Sequence, residues 1–365
     1  MALDRIQLAN FRNHRDTVLG GTAQFNLLVG ENGAGKTNIL EAISLLSPGR
    51  GLRHAPLPEM AAQSGPGSFA ISADLGTDGE ALRLGTGTRP DRPQRRVVQI
   101  NQADAPALRL AEWLSIGWLT PAMDRLFAEG PGARRRFLDR MVMALAPEHA
   151  RNATRLESAL RERNRLLSDP AEPDPAWLDA LETQIGEAGA MVAQARALMI
   201  LRLDSTLAEL PDSPFARPSL AYAPGGPVDQ AELARALRDG RARDRSAQRT
   251  LTGPHRDELA VTMAGPNSGK GNQPAAVCST GEQKAMLIAI TLAHAGLLGS
   301  ERPRLLLLDE VAAHLDPFRR EALFDRLRQG AAQVWLTGTE LAPFDGIAAE
   351  AAVWRVVAGR VERLG

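Results

Sequence analysis

Residues 25–43 read Phe25-Asn26-Leu27-Leu28-Val29-Gly30-Glu31-Asn32-Gly33-Ala34-Gly35-Lys36-Thr37-Asn38-Ile39-Leu40-Glu41-Ala42-Ile43. The first five residues, apolar but for Asn26, read as a candidate buried strand. The next eight match the phosphate-loop pattern G-x-x-x-x-G-K-[ST], and the remainder has helical character. The glycines let the backbone curl so that its N–H groups turn inward, and the helix N-terminus adds partial positive charge. Gly30, Glu31, Asn32, Gly33, Ala34, Gly35 and Asn38 are thus expected to line an ATP-binding loop. Lys36 would reach the β- and γ-phosphates as a catalytic group, and the Thr37 hydroxyl would ligate Mg²⁺. A glycine-rich turn that merely matches the pattern is the competing reading, and the flanking strand and helix argue against it.

Lysine usage supports this reading. Of 43 basic residues only Lys36, Lys270 and Lys284 are lysines. A chain that otherwise writes Arg keeps Lys where a compact ammonium is needed and a planar guanidinium does not fit.

A second half of the site lies near the other end of the chain. Leu305-Leu306-Leu307-Leu308-Asp309-Glu310 reads as a buried strand ending in two acids. Asp309 is placed to hold Mg²⁺, and Glu310 to polarise an attacking water as the catalytic base. About 25 residues earlier, Cys278-Ser279-Thr280-Gly281-Glu282-Gln283-Lys284 precedes a helix. Alone this segment is no more than a helix cap. Between a phosphate loop and a two-acid strand it reads as a second phosphate-facing helix N-terminus formed by Ser279, Thr280, Gly281 and Glu282.

The intervening chain changes character twice. Residues 68–100 alternate as antiparallel strands. From about Arg134 the pattern is helical. Leu156, Leu160 and Leu167 mark one arm, and Leu178, Leu181, Ile185, Ala188, Val192, Ala195 and Met199 follow a heptad seam on a second. Pro170, Pro173 and Pro175 forbid a continuous helix between them, so an antiparallel hairpin is expected, against the plainer alternative of two helices in a compact bundle. Prolines from Pro211 to Pro227 mark an irregular return, and 229–239 is helical again. The last third alternates helix (285–298), strand, helix (319–329) and strand (332–337), which implies parallel sheet members. The expected fold is α/β, with a split head of residues 1–130 and 245–365 and an inserted helical arm of residues 131–244.

With these parts in this order, the sequence resembles the SMC-like branch of the ABC-type P-loop ATPases. Ser279–Gly281 resembles the signature loop of that class, and Ala313-His314-Leu315-Asp316-Pro317 its D-loop, through Leu315 and Asp316. Asn10-Phe11-Arg12-Asn13, Thr120-Pro121, Arg134-Arg135-Arg136-Phe137-Leu138-Asp139 and Thr252-Gly253-Pro254-His255-Arg256-Asp257-Glu258-Leu259 are similar to segments of a DNA-repair family within that branch whose hairpin is short. The resemblance implies a bacterial, cytoplasmic, weakly hydrolysing DNA-dependent ATPase of recombinational repair. It would dimerise around two ATP molecules, with the signature loop acting in trans. It would bind duplex DNA and single-strand/duplex junctions, and act with RecO and RecR to place RecA at single-strand gaps. Arg12 and Asn13 would join the ATP site, and His255 and Arg256 would lie at the nucleotide or dimer edge. Two departures stand out. His314 occupies a D-loop position usually held by a small residue, and Thr337 and Thr339 stand in the region of the ABC switch histidine.

Composition bounds the alternatives. The 365 residues suggest about two structural units. Lys+Arg and Asp+Glu are both 43, which excludes a uniformly basic nucleic-acid coat but not a local patch. One cysteine, Cys278, excludes an internal disulfide and any multi-cysteine metal site. No secretory leader or membrane-spanning stretch is visible. The arginine runs at 92–96, 134–136 and 241–249 are candidate phosphate contacts, with Arg134, Arg135, Arg136, Arg241 and Arg243 the leading residues. Aromatic residues are 4% of the chain, so base stacking is not the expected mode. An anti-phage or nuclease-associated ATPase of the same head type is the alternative function, disfavoured because no acidic cluster remains for a nuclease. A transporter ATPase is disfavoured by the hairpin and by the lack of a signature leucine.

Overall fold

The computed structural model describes residues 3–76, 82–210, 213–215, 217–264, 273–297 and 302–364. Lys270, Pro211 and the side chain of His314 fall outside that set. The chain opens with strands β1 (Arg5–Phe11), β2 (His14–Gly20) and β3 (Phe25–Val29), then helix α1 (Lys36–Ser44) and the single turn α2 (Leu57–Met60). Strands β4 (Ala70–Leu75), β5 (Leu82–Arg89), β6 (Arg92–Ile100) and β7 (Ala103–Asp104) follow, then α3 (Leu110–Trp113) and β8 (Ser115–Leu119). The helical stretch comprises α4 (Pro131–Leu145), α5 (Glu148–Ser168) and α6 (Pro175–Glu209). After it come β9 (Arg217–Ala223), α7 (Gln230–Asp239), α8 (Arg241–Ser246), β10 (Glu258–Ala264), β11 (Gln273–Pro274) and α9 (Thr280–Leu297). The chain closes with β12 (Arg304–Leu308), α10 (Pro317–Gln329), β13 (Gln333–Gly338), α11 (Asp345–Ala348), β14 (Ala351–Val357) and β15 (Arg360–Leu364). No helix of the described residues is long and apolar enough to cross a membrane.

Two compact units result: Met1–Met123 with His294–Gly365, and Asp124–Ala293. The first holds two six-stranded sheets. One runs β2-β1-β4-β5-β6-β7 with every neighbour antiparallel, as the alternation over 68–100 requires. The other runs β15-β14-β3-β13-β12-β8, parallel except at β15. Its central strands are buried on both faces, which is why β3 and β12 read as largely apolar runs, with Asn26 the polar exception inside β3. Trp335 and Trp354 stack at 5.6 Å across β3 and set the spacing of β13 and β14. Gln333 is buried and closes this sheet against the N-terminus, accepting from the Leu3 N–H and donating to the Leu3 carbonyl.

The second unit carries the hairpin. Arg155 pairs with Glu187 and Arg163 with Glu182, so α5 and α6 run antiparallel. Leu178, Leu181, Ile185, Ala188 and Val192 of the expected seam are buried against Leu156, Leu160 and Leu167. This unit is larger than the 131–244 arm expected from the sequence. β10 pairs antiparallel with β9 from Glu258↔Ala223 to Ala264↔Arg217, which draws the chain after residue 244 into the helical unit. The Thr252–Leu259 and Ser279–Glu282 segments, assigned to the head by sequence order, therefore belong to the Asp124–Ala293 unit.

Candidate nucleotide-binding site

Val29 is in register with Gly338 of β13, and Leu336 of β13 with Leu308 of β12. The phosphate loop after β3, the Thr337 region and the acids after β12 therefore emerge together at the carboxyl ends of parallel strands, where open α/β sheets bind ligands. The loop's shape needs its glycines. Gly33 and Gly35 have φ of 80° and 118°, and a Cβ on Gly30 would overlap the Val356 carbonyl. A Cβ on Gly35 would come within 2.8 Å of Asn13 and His14. These two residues brace the loop from outside. Asn13 Nδ2 donates to the Ala34 carbonyl (2.9 Å), and His14 Nε2–H donates to the Gly35 carbonyl (3.1 Å), which can only accept. Asn38 Nδ2 donates in turn to Asn13 Oδ1 at 2.7 Å.

Lys36 is buried, with Nζ donating to the carbonyls of Gly30 (2.6 Å) and Glu31 (2.9 Å). Thr37 Oγ1 lies 2.9 and 3.1 Å from the two oxygens of Asp309, across 272 residues of sequence. Thr337 Oγ1 donates to Asp309 Oδ1 at 2.8 Å and accepts from the Glu310 N–H at 2.9 Å. Glu310 is partly exposed and has φ of 56°, a left-handed conformation uncommon for a side chain of its size.

Burial opposes the charges at this site. It lowers the Lys36 pKa, against the pull of Glu310 and Asp309, and it raises that of Asp309, against hydrogen bonds from Thr337 and Thr37. Bound phosphate and a divalent cation would reverse both, by giving the ammonium and the carboxylate partners of opposite charge. The residues fit such a group. The first N–H groups of α1 lack intrahelical acceptors, and Thr37 and Asp309 place a hydroxyl and a carboxylate on one point, a hard-cation donor set.

The family model for the RecF/RecN/SMC N terminal domain matches residues 2–342. DNA replication and repair protein RecF of Mesorhizobium japonicum is 44% identical over 98% of this chain and 97% of its own. The chain belongs to the RecF family. RecF of Brucella abortus (44%, 99% of this chain and 96% of its own) and of Caulobacter vibrioides (43%, 97% and 96%) are similarly related. The fold is that of the recombination mediator protein RecF-ATP of the RecFOR pathway, with a TM-score of 0.85, 21% identity and 100% and 98% of the two chains covered. A Pyrococcus furiosus Smc head domain bound to ScpA shares it more distantly, with a TM-score of 0.56, 16% identity and 100% and 96% covered.

The other expected residues of this RecF-family chain make the following contacts. Arg12 makes a two-pronged ion pair with Glu41 (2.8 and 2.9 Å), and Arg53 adds a contact to Glu41 at 3.0 Å. Glu41 is fully buried, so the pair fixes α1 from its inner face. Sequence reading missed Arg53, which also holds Asn38 Oδ1 at 2.6 Å; a charged residue inside an apolar helix face, Glu41, was the available signal. Asp316 caps α10 by accepting from the Arg319 N–H, and Leu315 is buried.

In the second unit Ser279 and Glu282 form a reciprocal capping box. Glu282 Oε2 accepts from the Ser279 N–H (2.7 Å), and Ser279 Oγ accepts from the Glu282 N–H (3.3 Å). Ser279, Thr280 and Gly281 are exposed, whereas Cys278 is buried.

Several arginines expected at a nucleic-acid surface have internal partners instead. Arg134 forms a two-pronged pair with Glu258 (2.6 and 2.8 Å), and Arg135 donates to the Asp257 carbonyl. Arg241 is held by Glu182 and Asp179. In the first unit Arg96 donates to Thr86 and to the carbonyls of Gly49 and Leu45, and burial pushes its pKa down to about 10. Arg136 and Arg243 remain exposed. His255 also has an internal partner: its Nε2–H donates to the Thr250 carbonyl, and burial lowers its pKa.

Proposed function

We propose that this chain is an ATP-gated DNA-binding protein of recombinational repair that closes as a homodimer on two ATP molecules. The observation that carries the reading is the contact of Thr37 with Asp309, which joins the phosphate loop and the acid strand into one site. Lys36 exchanges its carbonyl partners for phosphate oxygens, and the α1 N-terminus orients the triphosphate. Thr37 and Asp309 would hold Mg²⁺, whose charge offsets that of the phosphates. Glu310 accepts a proton from the attacking water. The exposed Ser279–Gly281 turn supports a signature role toward a nucleotide on the partner copy. Hydrolysis is slow and stimulated by DNA, and the exposed Arg136 and Arg243 contact the DNA backbone without reading sequence. The 44% identity to RecF proteins over nearly the whole chain supports action with RecO and RecR to load RecA at single-strand gaps, in the cytoplasm.

Glu310→Gln tests this reading. The variant is expected to bind ATP, to hydrolyse it about 10²–10⁴-fold more slowly, and to accumulate as an ATP-dependent dimer that holds DNA longer. Sedimentation showing only monomer at saturating ATP would refute it.

A further inference from the structure

The side chain that organises the acid pair is neither acid nor phosphate-loop residue. Thr337 stands at the carboxyl end of β13, the strand between β3 and β12, in register with Leu28. It is 1% exposed, so both bonds of its hydroxyl are made inside the protein. Oγ1 donates its one proton to Asp309 Oδ1 (2.8 Å) and accepts from the Glu310 N–H (2.9 Å). A hydroxyl has one donor and two acceptor sites, so both bonds hold at once. Asp309 is fixed from two further sides, by its own N–H on the Leu119 carbonyl of β8 and by Thr37 at 2.9 Å. Glu310 is different. Its backbone has φ of 56°, a conformation uncommon for a side-chain-bearing residue that persists where surrounding structure holds it.

We infer that Thr337 is a positioning residue for ATP hydrolysis: one hydroxyl sets both the rotamer of Asp309 and the backbone turn that aims Glu310. The inference rests on the nucleotide-site reading above. The plainer alternative is that Thr337 only satisfies a buried carboxylate oxygen. The two differ in what they expect of Glu310. A packing role affects folding and leaves the Glu310 step alone, whereas a positioning role acts through that step.

Thr337→Val removes the hydroxyl at nearly constant volume, and Thr337→Ser keeps it. A fluorescent ATP analogue with Mg²⁺ reads binding, and single-turnover hydrolysis reads the chemical step. Thr337→Val is expected to bind the analogue within a few-fold of the wild type and to hydrolyse ATP on the order of 10²-fold more slowly, the scale of a misaimed reacting group. Thr337→Ser should restore most of the rate. In the Glu310→Gln background, Thr337→Val should add little further loss. Wild-type hydrolysis in Thr337→Val overturns the inference. So does a Thr337→Ser variant as slow as Thr337→Val, or a Thr337→Val effect undiminished by Glu310→Gln. If Thr337→Val does not fold by circular dichroism, Thr337→Ala takes its place on the same readouts. Failure of the underlying reading is distinct: the wild type would not bind the analogue, or Lys36→Ala would bind it unchanged.

Discussion

Arg196 of α6 joins two segments that the sequence marks as distinctive. Its Nε and Nη2 grip both oxygens of Asp139 (2.8 Å each), and its Nη1 reaches Asp257 Oδ2 (2.9 Å) and the Pro254 carbonyl (2.6 Å). Arg196→Met should leave two carboxylates without their guanidinium, Asp257 being almost fully buried. Breaking a buried pair from one side costs about 3–5 kcal/mol. The pH dependence gives a second handle. Burial would raise the Asp139 pKa, but hydrogen bonds from His149 and Arg196 outweigh it and hold it at about 2, against an ordinary 3.8. At 1.36 kcal/mol per unit, that depression contributes on the order of 2 kcal/mol. A depressed carboxylate stabilises the fold above its unfolded pKa, and the contribution is lost as pH falls through the folded one. The stability gap between wild type and Arg196→Met should therefore be full above about pH 4 and narrow toward pH 2. Urea unfolding followed by far-UV circular dichroism, which the long α5 and α6 helices dominate, measures the gap. A loss below about 1 kcal/mol at neutral pH, or a gap constant down to pH 2, would refute the assignment of Arg196 as the keystone of this network.

Lys36→Arg should lose ATP binding as Lys36→Ala does, because a broad guanidinium cannot occupy the pocket where Nζ lies between the Gly30 and Glu31 carbonyls; near-native affinity by calorimetry would contradict this. Ser279→Arg should block the ATP-dependent dimer while monomer ATP binding persists, with a helix-cap loss of only about 1 kcal/mol; a normal dimer by sedimentation would remove the signature role. DNA binding should weaken steeply with salt, with log K against log[salt] falling by about 0.9 per phosphate neutralised, and with little sequence preference; a flat salt response would remove the arginine–phosphate account.

The head was legible because its parallel strands are buried on both faces. β3 and β12 each write that burial as a mostly apolar run, Leu27–Val29 and Leu305–Leu308, with the chemical groups placed just after it. The hairpin was legible because a heptad seam and three prolines are local signals. The boundary between units was not, because it depends on β9 pairing with β10, a contact between residues such as Ala223 and Glu258 that no local pattern announces. Thr337 was legible only as a place. Its two bonds depend on the register of β13 beside β12, which fixes what a hydroxyl at that height can touch.

The arginines show the same limit most sharply, and also resolve it. Their clustering invites a reading as phosphate contacts, yet the structure pairs many of its arginines with carboxylates, some buried and some at the surface. Arg12–Glu41, Arg83–Asp74, Arg134–Glu258, Arg165–Glu162 and Arg196–Asp139 all present Nε and Nη2 to the two oxygens of one carboxylate. Such a fork requires a planar guanidinium, and an ammonium cannot replace it. Lys284, by contrast, makes a single 3.4 Å contact to Asp124. The chain's preference for arginine is thus partly a preference for geometry. Pairs such as Arg134 with Glu258 join residues 124 apart in sequence, so the fold must form before the fork finds its carboxylate. A basic run in this sequence carries information about DNA only after those partners are weighed: of the expected set Arg136 and Arg243 still face solvent, and Arg243 also donates to Thr252 at 2.9 Å.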